Sequence, residues 1–184
     1  MEGNAEYKLK DMCMDRNSRA MDDNEVALIT AAFKNDLNAA CDSIIDQLGP
    51  GHTETVYNKA LVAMIRSKGY LVEHEKTFLV SIVDFKGVRH TVSHMKADVI
   101  VYATTKSVIL LELKCSDKAS ECNGGEQLNR YKLALQHEGI DLVACYLVTF
   151  PRYCWNRSTK NTCKTCTVVD MLPELTTSPC SSTT

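Results

Sequence analysis

The spacing of apolar positions along the chain changes period twice. Val26, Ile29, Phe33, Leu37, Cys41, Ile44 and Leu48 recur at steps of three and four. That spacing lays one apolar stripe along a long amphipathic helix, with Asp22 or Asp23 as its cap. "LGPG" at 48–51 ends it. A second helix is expected from about Thr53 to Lys68, with Val56, Ala60 and Ile65 toward the core and Gly69 as the C-terminal stop. The period then falls toward two. "YLVEHEKTFLVSIV" (70–83) and "GVRHTVSHM" (87–95) predict a hairpin turning around Asp84–Gly87, and "ADVIVYA" (97–103) and "SVILLELK" (107–114) predict a second, joined by the polar "TTKS". A helix over Glu126–His137 follows, stopped by Gly139, and then a buried strand, "DLVACYLVTF". "CTVVDML" adds a last strand. Two helices, four strands, a helix and a strand fit an α/β sandwich on a mixed sheet.

Residues 1–21 are polar and aperiodic and read as a flexible N-terminal arm. Residues 22–172 read as one domain, and 173–184, ending in "TTSPCSSTT", as a flexible tail. The first residues hold no apolar stretch of the secretory type. No run approaches the ~20 apolar residues of a membrane helix. Nine cysteines without such a signal read as reduced thiols of an intracellular protein, cytoplasmic or nuclear. Cys145 falls inside an apolar run and is expected in the core.

Net charge is −2, so the chain as a whole is no polycation. Residues 1–48 carry five Lys/Arg against ten Asp/Glu, residues 49–150 twelve against eleven, and residues 151–184 four against two. A nucleic-acid partner would need a local basic face. "CKTC" at 163–166 is a single C-x-x-C, with Cys154 and Cys180 at loose distances, short of the paired knuckles of a zinc site.

The run "VILLELKC" (108–115) poses the chemical question, because it ends in Glu112 and Lys114. Side chains alternate along a strand, so these two charges share a face with Leu110, while Leu111 and Leu113 point the other way. An isolated buried ion pair gains little over packed apolar residues. The pair therefore marks a cavity, a metal, or plain emergence into solvent. The second hairpin centres on residue 105, which sets Asp98 opposite Glu112 on one face, ~5 Å apart at Cβ. Two carboxylates that close are unfavourable unless a cation lies between them. Mg²⁺ suits such a pair, with water and phosphate oxygens filling its other positions. In the helix before the sheet, Gly51, Glu54 and Tyr57 form G-x-x-E-x-x-Y. Glu54 is either a helix-end charge or a third carboxylate for the same cavity.

These residues resemble the GxxExxY family, a branch of the PD-(D/E)XK nuclease superfamily, from about Leu48 to Phe150. The match takes in Gly51, Glu54 and Tyr57, Asp98 in "KADVIVYA", Glu112 and Lys114 in "LELK", and Gln127 and Tyr131 in "EQLNRY", similar to the family's Q-x-x-x-Y helix. Ala97 stands where the superfamily's name has proline. The resemblance implies a restriction-endonuclease-like core: a central mixed β-sheet flanked by helices, here with an extra N-terminal helix. It implies a metal-dependent nuclease acting on DNA or RNA through backbone contacts. Asp98, Glu112, the Leu113 carbonyl and Glu54 would hold Mg²⁺ or Mn²⁺. Lys114 would orient or help deprotonate the attacking water. Gln127 and Tyr131 would touch the phosphate backbone or brace the ligands. Tyr57 reads as a packing residue. Lys96, Lys118, Arg130 and Lys132 could add phosphate contacts as a group. The competing expectation is a nuclease-fold module that no longer cuts and binds nucleic acid, or a protein partner or second copy through the N-terminal helix.

Overall fold

A computed structural model describes residues 22–115, 124–152 and 165–172. The proposed N-terminal arm and C-terminal tail, Lys118, and Cys154, Cys163 and Cys180 lie outside the described residues. The elements run α1 (Asp23–Leu48), α2 (Glu54–Ser67), β1 (Leu71–Val83), β2 (Arg89–Tyr102), β3 (Ser107–Cys115), α3 (Gly124–His137), β4 (Asp141–Phe150) and β5 (Thr167–Asp170).

Asp22 caps α1. Its carboxylate accepts from the Glu25 N–H at 2.8 Å, and Glu25 reaches back to the Asp22 N–H at 3.3 Å. This reciprocal pair satisfies two donors that a helix start leaves open. Phe33, Leu37, Ala40, Cys41, Ile44 and Ile45 form the buried stripe. Leu48, expected on that stripe, is exposed, because the helix ends there and Gly49 leads the chain away with φ 73°. In α2 the buried face is Tyr57, Leu61, Val62 and Ile65. Val56 was expected in the core and is 39% exposed. Tyr57, Leu61 and Ile65 are spaced by four and carry more apolar area than Val56 and Ala60, so they set the rotation of the helix.

The sheet order is β1-β2-β3-β4-β5. β3 and β4 are parallel, and the other neighbours are antiparallel. Parallel pairing needs a crossover, and α3 provides it. Helices α1 and α2 cover one face over a core that includes Val99, Val101, Leu111, Leu113 and Tyr146. α3 covers the other face over Ile100, Leu110, Leu128, Leu135 and Cys145. Cys145 is fully buried, as expected of a small core residue. β3 is buried on both faces because both helical layers press on it.

The two strands predicted at 87–95 and 97–103 are one strand, β2. Polar His94, Lys96 and Asp98 interrupt the apolar alternation without interrupting the backbone. The strand instead changes face there. Val99 and Val101 join the α1/α2 core, while Ala97 joins the α3 core. The partner strand changes face at the same level, with Val72 in the first core and Phe78 in the second. Between them lies Glu75, with φ 58°, the one left-handed non-glycine among the described residues. The ladder pairs His74 with Val99 and Lys76 with Ala97, and the level between is that of Glu75 and Asp98. A left-handed residue of this type costs on the order of 1 kcal/mol, held by the structure on either side.

Candidate active site

Antiparallel pairing of β2 with β3 centres on residue 105, with Val99 opposite Leu111 and Ile100 opposite Leu110. The ladder stops at Val99. One step further, Asp98 and Glu112 would face each other, and here the side chain replaces the backbone: Asp98 Oδ2 accepts from the Leu113 N–H at 2.8 Å. The carboxylate thus takes the edge donor that β2 releases as it diverges. Burial lifts the Asp98 carboxyl above its ordinary value, against the Leu113 N–H and the Lys114 charge, which pull it down.

Glu112 is wholly buried. Its Oε1 accepts a hydrogen bond from Lys114 Nζ, and its Oε2 is buried with no hydrogen-bond partner. Burial pushes its pKa up to about 7, and the nearby Asp98 charge adds to the rise despite Lys114. Burial alone would lower the Lys114 pKa. The bond to Glu112 and the charges of Glu112, Glu54 and Asp98 outweigh it, so Lys114 is held protonated more firmly than a free lysine.

Glu54 opens α2, where the N-terminal end of the helix favours a negative charge. Its charge raises the pKa values of Asp98, Glu112, Lys114 and Cys115. The Cys115 thiol is pushed up to about 11, first by burial and then by Glu54, so it stays neutral. Among the described residues, no three His, Cys, Asp or Glu side chains are gathered closely enough to hold a metal ion. Asp98 and Glu112 thus stand at the adjoining ends of β2 and β3, and both feel the charge of Glu54.

Two other parts of G-x-x-E-x-x-Y orient Glu54. Gly51 sits at φ 99°, a conformation that favours glycine, and its N–H donates to the Pro151 carbonyl at 3.4 Å. Tyr57 is fully buried and stacks on Phe150 with ring centroids 4.4 Å apart. Its hydroxyl donates to the Gly49 carbonyl at 2.7 Å and accepts from the His52 N–H at 3.3 Å. Tyr57 thereby ties the turn to the start of α2.

Gln127 and Tyr131 share a face of α3. The Tyr131 hydroxyl donates to the Lys96 carbonyl and accepts from Gln127 Nε2, the latter at 2.7 Å. Its ring is buried near Phe78. The pair holds β2 two residues before Asp98. Lys96 is tied into the site through its backbone carbonyl, a contact that residue identity does not encode. Its ammonium pairs with Glu75 at 2.8 Å. Arg130 is exposed on α3. Tyr131→Phe leaves the Lys96 carbonyl without its partner and is expected to cost about 1–3 kcal/mol of stability. If Tyr131 positions Asp98, the turnover number falls on the order of tenfold with KM unchanged. A stability loss with unaltered turnover would leave Tyr131 as a packing residue.

The profile of the PD-(D/E)XK nuclease superfamily matches residues 31–161. That span is well over half of the chain and includes every residue of the candidate site, and the chain belongs to the PD-(D/E)XK nuclease superfamily. Its mixed five-stranded sheet flanked by helices is consistent with the restriction-endonuclease-like α/β fold. Among solved structures, the crystal structure of SSO0001 is similar at 14% identity and a TM-score of 0.43, covering 90% of this chain and 76% of that one. No curated protein matches the chain.

Proposed function

We propose that the protein is a metal-dependent nuclease of the GxxExxY branch, hydrolysing phosphodiester bonds of DNA or RNA at the Asp98–Glu112–Lys114 site. The observation that carries this reading is the buried, partnerless Oε2 of Glu112 beside a second carboxylate. A native interior seldom leaves such an oxygen unpaired, and two adjacent carboxylates repel unless a cation joins them. Hard oxygen donors of this kind suit Mg²⁺ or Mn²⁺. Asp98 and Glu112 would hold the ion directly. The N–H and C=O of one residue point to the same strand edge, so the Leu113 carbonyl faces the gap left by β2 and can contribute. Glu54 would act from outside, through water. The absence of a three-member ligand cluster among the described residues supports this division.

A divalent ion held by Asp98 and Glu112 would polarise the scissile phosphoryl group and neutralise charge building on it. Lys114 supplies a fixed positive charge. In the metal-free site Lys114 stands protonated, where it would orient water and stabilise negative oxygens. Gln127 and Tyr131 brace the strand that carries Asp98. Four cysteines among the described residues are free thiols, in keeping with an intracellular site of action. Among those residues no helix is long and apolar enough to cross a membrane.

The test is incubation of the purified protein and its Asp98→Asn variant with labelled DNA and RNA, single- and double-stranded, in Mg²⁺, Mn²⁺ or EDTA. Cleavage that needs the ion and disappears in Asp98→Asn is the expected result. No cleavage by the parent with either metal, or equal cleavage by both proteins, would contradict the proposal.

A further inference from the structure

We propose that the outer half of the β1–β2 ribbon is an arm that holds double-stranded nucleic acid against the Asp98–Glu112 pair, with Phe85 at its tip. This rests on the nuclease reading and adds the substrate class to it. β2 pairs with β1 from Arg89 to Tyr102 but with β3 only from Val99 to Tyr102. Outward of Ala97 the sheet is therefore a two-stranded ribbon. The eight residues of β1 from Lys76 to Val83 give a reach of about 26 Å at ~3.3 Å per residue.

The ribbon exposes Leu79, Ile82, Val83, Val88 and Val92 by more than half, and Phe85 entirely. Concentrated apolar exposure of this kind marks a binding surface. The tip is fixed as well. Asp84 Oδ1 accepts from the N–H groups of Lys86 at 2.8 Å and Val88 at 2.9 Å, and Oδ2 contacts the His90 ring at 2.9 Å. These bonds occupy the one acidic residue of 77–97, a stretch that also carries Lys86 and Arg89, with Lys96 paired to Glu75 at its base. The arm is thus basic and apolar on a chain whose net charge is −2.

Charge decides between occupants. Two copies meeting arm to arm would bring Lys86 and Arg89 against their equals, whereas a phosphate backbone complements them. Shape decides between duplex and single strand. A two-stranded ribbon fits the ~12 Å major groove of B-form DNA, so the duplex is DNA. A single-strand track needs successive aromatic platforms, and among the described residues of the arm Phe85 is the one exposed aromatic. The arm's inner end is Asp98, so a duplex lying along it reaches the carboxylate pair.

The test is fluorescence anisotropy with the full chain in EDTA, where binding is read apart from cleavage, on a labelled duplex of three helical turns and on one of its strands. Wild type should favour the duplex. Lys86→Glu/Arg89→Glu should weaken duplex binding at least ~tenfold and lower the salt slope by about two. Phe85→Ala should weaken binding with the slope unchanged, and the melting temperatures of these variants should match wild type. Equal duplex affinity in wild type and the double variant would overturn the arm. So would no duplex binding by wild type, or a variant that loses only self-association in sedimentation. Arm-dependent binding by a protein that never cuts with Mg²⁺ or Mn²⁺ would sink the nuclease reading and leave the arm standing. Cutting by wild type and arm variants alike would do the reverse.

Discussion

Glu112→Gln is expected to abolish cleavage while making the metal-free protein more stable above neutral pH. In the proposed mechanism the substitution removes a metal ligand and with it several kcal/mol of transition-state stabilisation, and 4 kcal/mol corresponds to about a thousandfold in rate. The gain in stability follows from burial. The Glu112 pKa rises from 4.5 to about 7 on folding. Below 4.5 the group is protonated in both states. Between 4.5 and 7 the folded state alone holds the proton, so stability contributed by the protonated form declines as pH rises through this window. Above 7 the chain carries a buried charge, at a cost on the order of 3 kcal/mol. Glutamine removes that charge. Thermal melts in EDTA on both sides of pH 7 should show wild type losing stability toward alkaline pH and Glu112→Gln much less. Parallel pH profiles would mean that Glu112 does not titrate as a buried acid.

Lys114→Met is expected to lower cleavage by about 10²–10³ while preserving the fold. Methionine retains an apolar stem in the space of the lysine chain and drops the charge. Two effects then add. The reacting oxygens lose a fixed cation. Glu112 loses the one neighbour that counters burial and Asp98, so its pKa rises further. Ion binding needs the carboxylate form, and the acid limb of the residual pH–rate profile should move to higher pH. Lys114→Arg keeps the charge and should recover part of the rate. A residual profile with an unmoved acid limb would show that Lys114 does not tune Glu112.

The register of the second hairpin was legible because a polar turn between two apolar runs fixes its own centre, and Val99 opposite Leu111 follows from "TTKS" alone. The cap of α1 was legible as Asp22 or Asp23, and Gly69 and Gly139 as stops, because these residue types act through the local backbone. Gly69 and Gly139 indeed sit at φ 91° and 70°. The continuity of β2 was not legible. Its polar residues at 94, 96 and 98 mark a change of face, which looks the same in sequence as the end of a strand. Glu75 in a left-handed conformation carries no sequence signal, since the restraint comes from the sheet on either side. Nor does the bond from Tyr131 to the Lys96 carbonyl, because main-chain partners leave no trace in residue identity. Glu54 was expected as a possible third ligand, and the fold sets it near enough to be felt electrostatically but outside any three-membered cluster among the described residues. Spacing along a helix gives its face but not its distance from a strand.

In the proposed mechanism Asp98 and Glu112 together bind one divalent ion. Calorimetric titration of Mn²⁺ into the metal-free protein near pH 7, in two buffers of different ionisation enthalpy, tests it most directly. Binding should be accompanied by proton release from Glu112, with no proton release in Glu112→Gln and weakened binding in both Glu112→Gln and Asp98→Asn. Binding of the same strength and buffer dependence in all three proteins, or none in wild type, would contradict it.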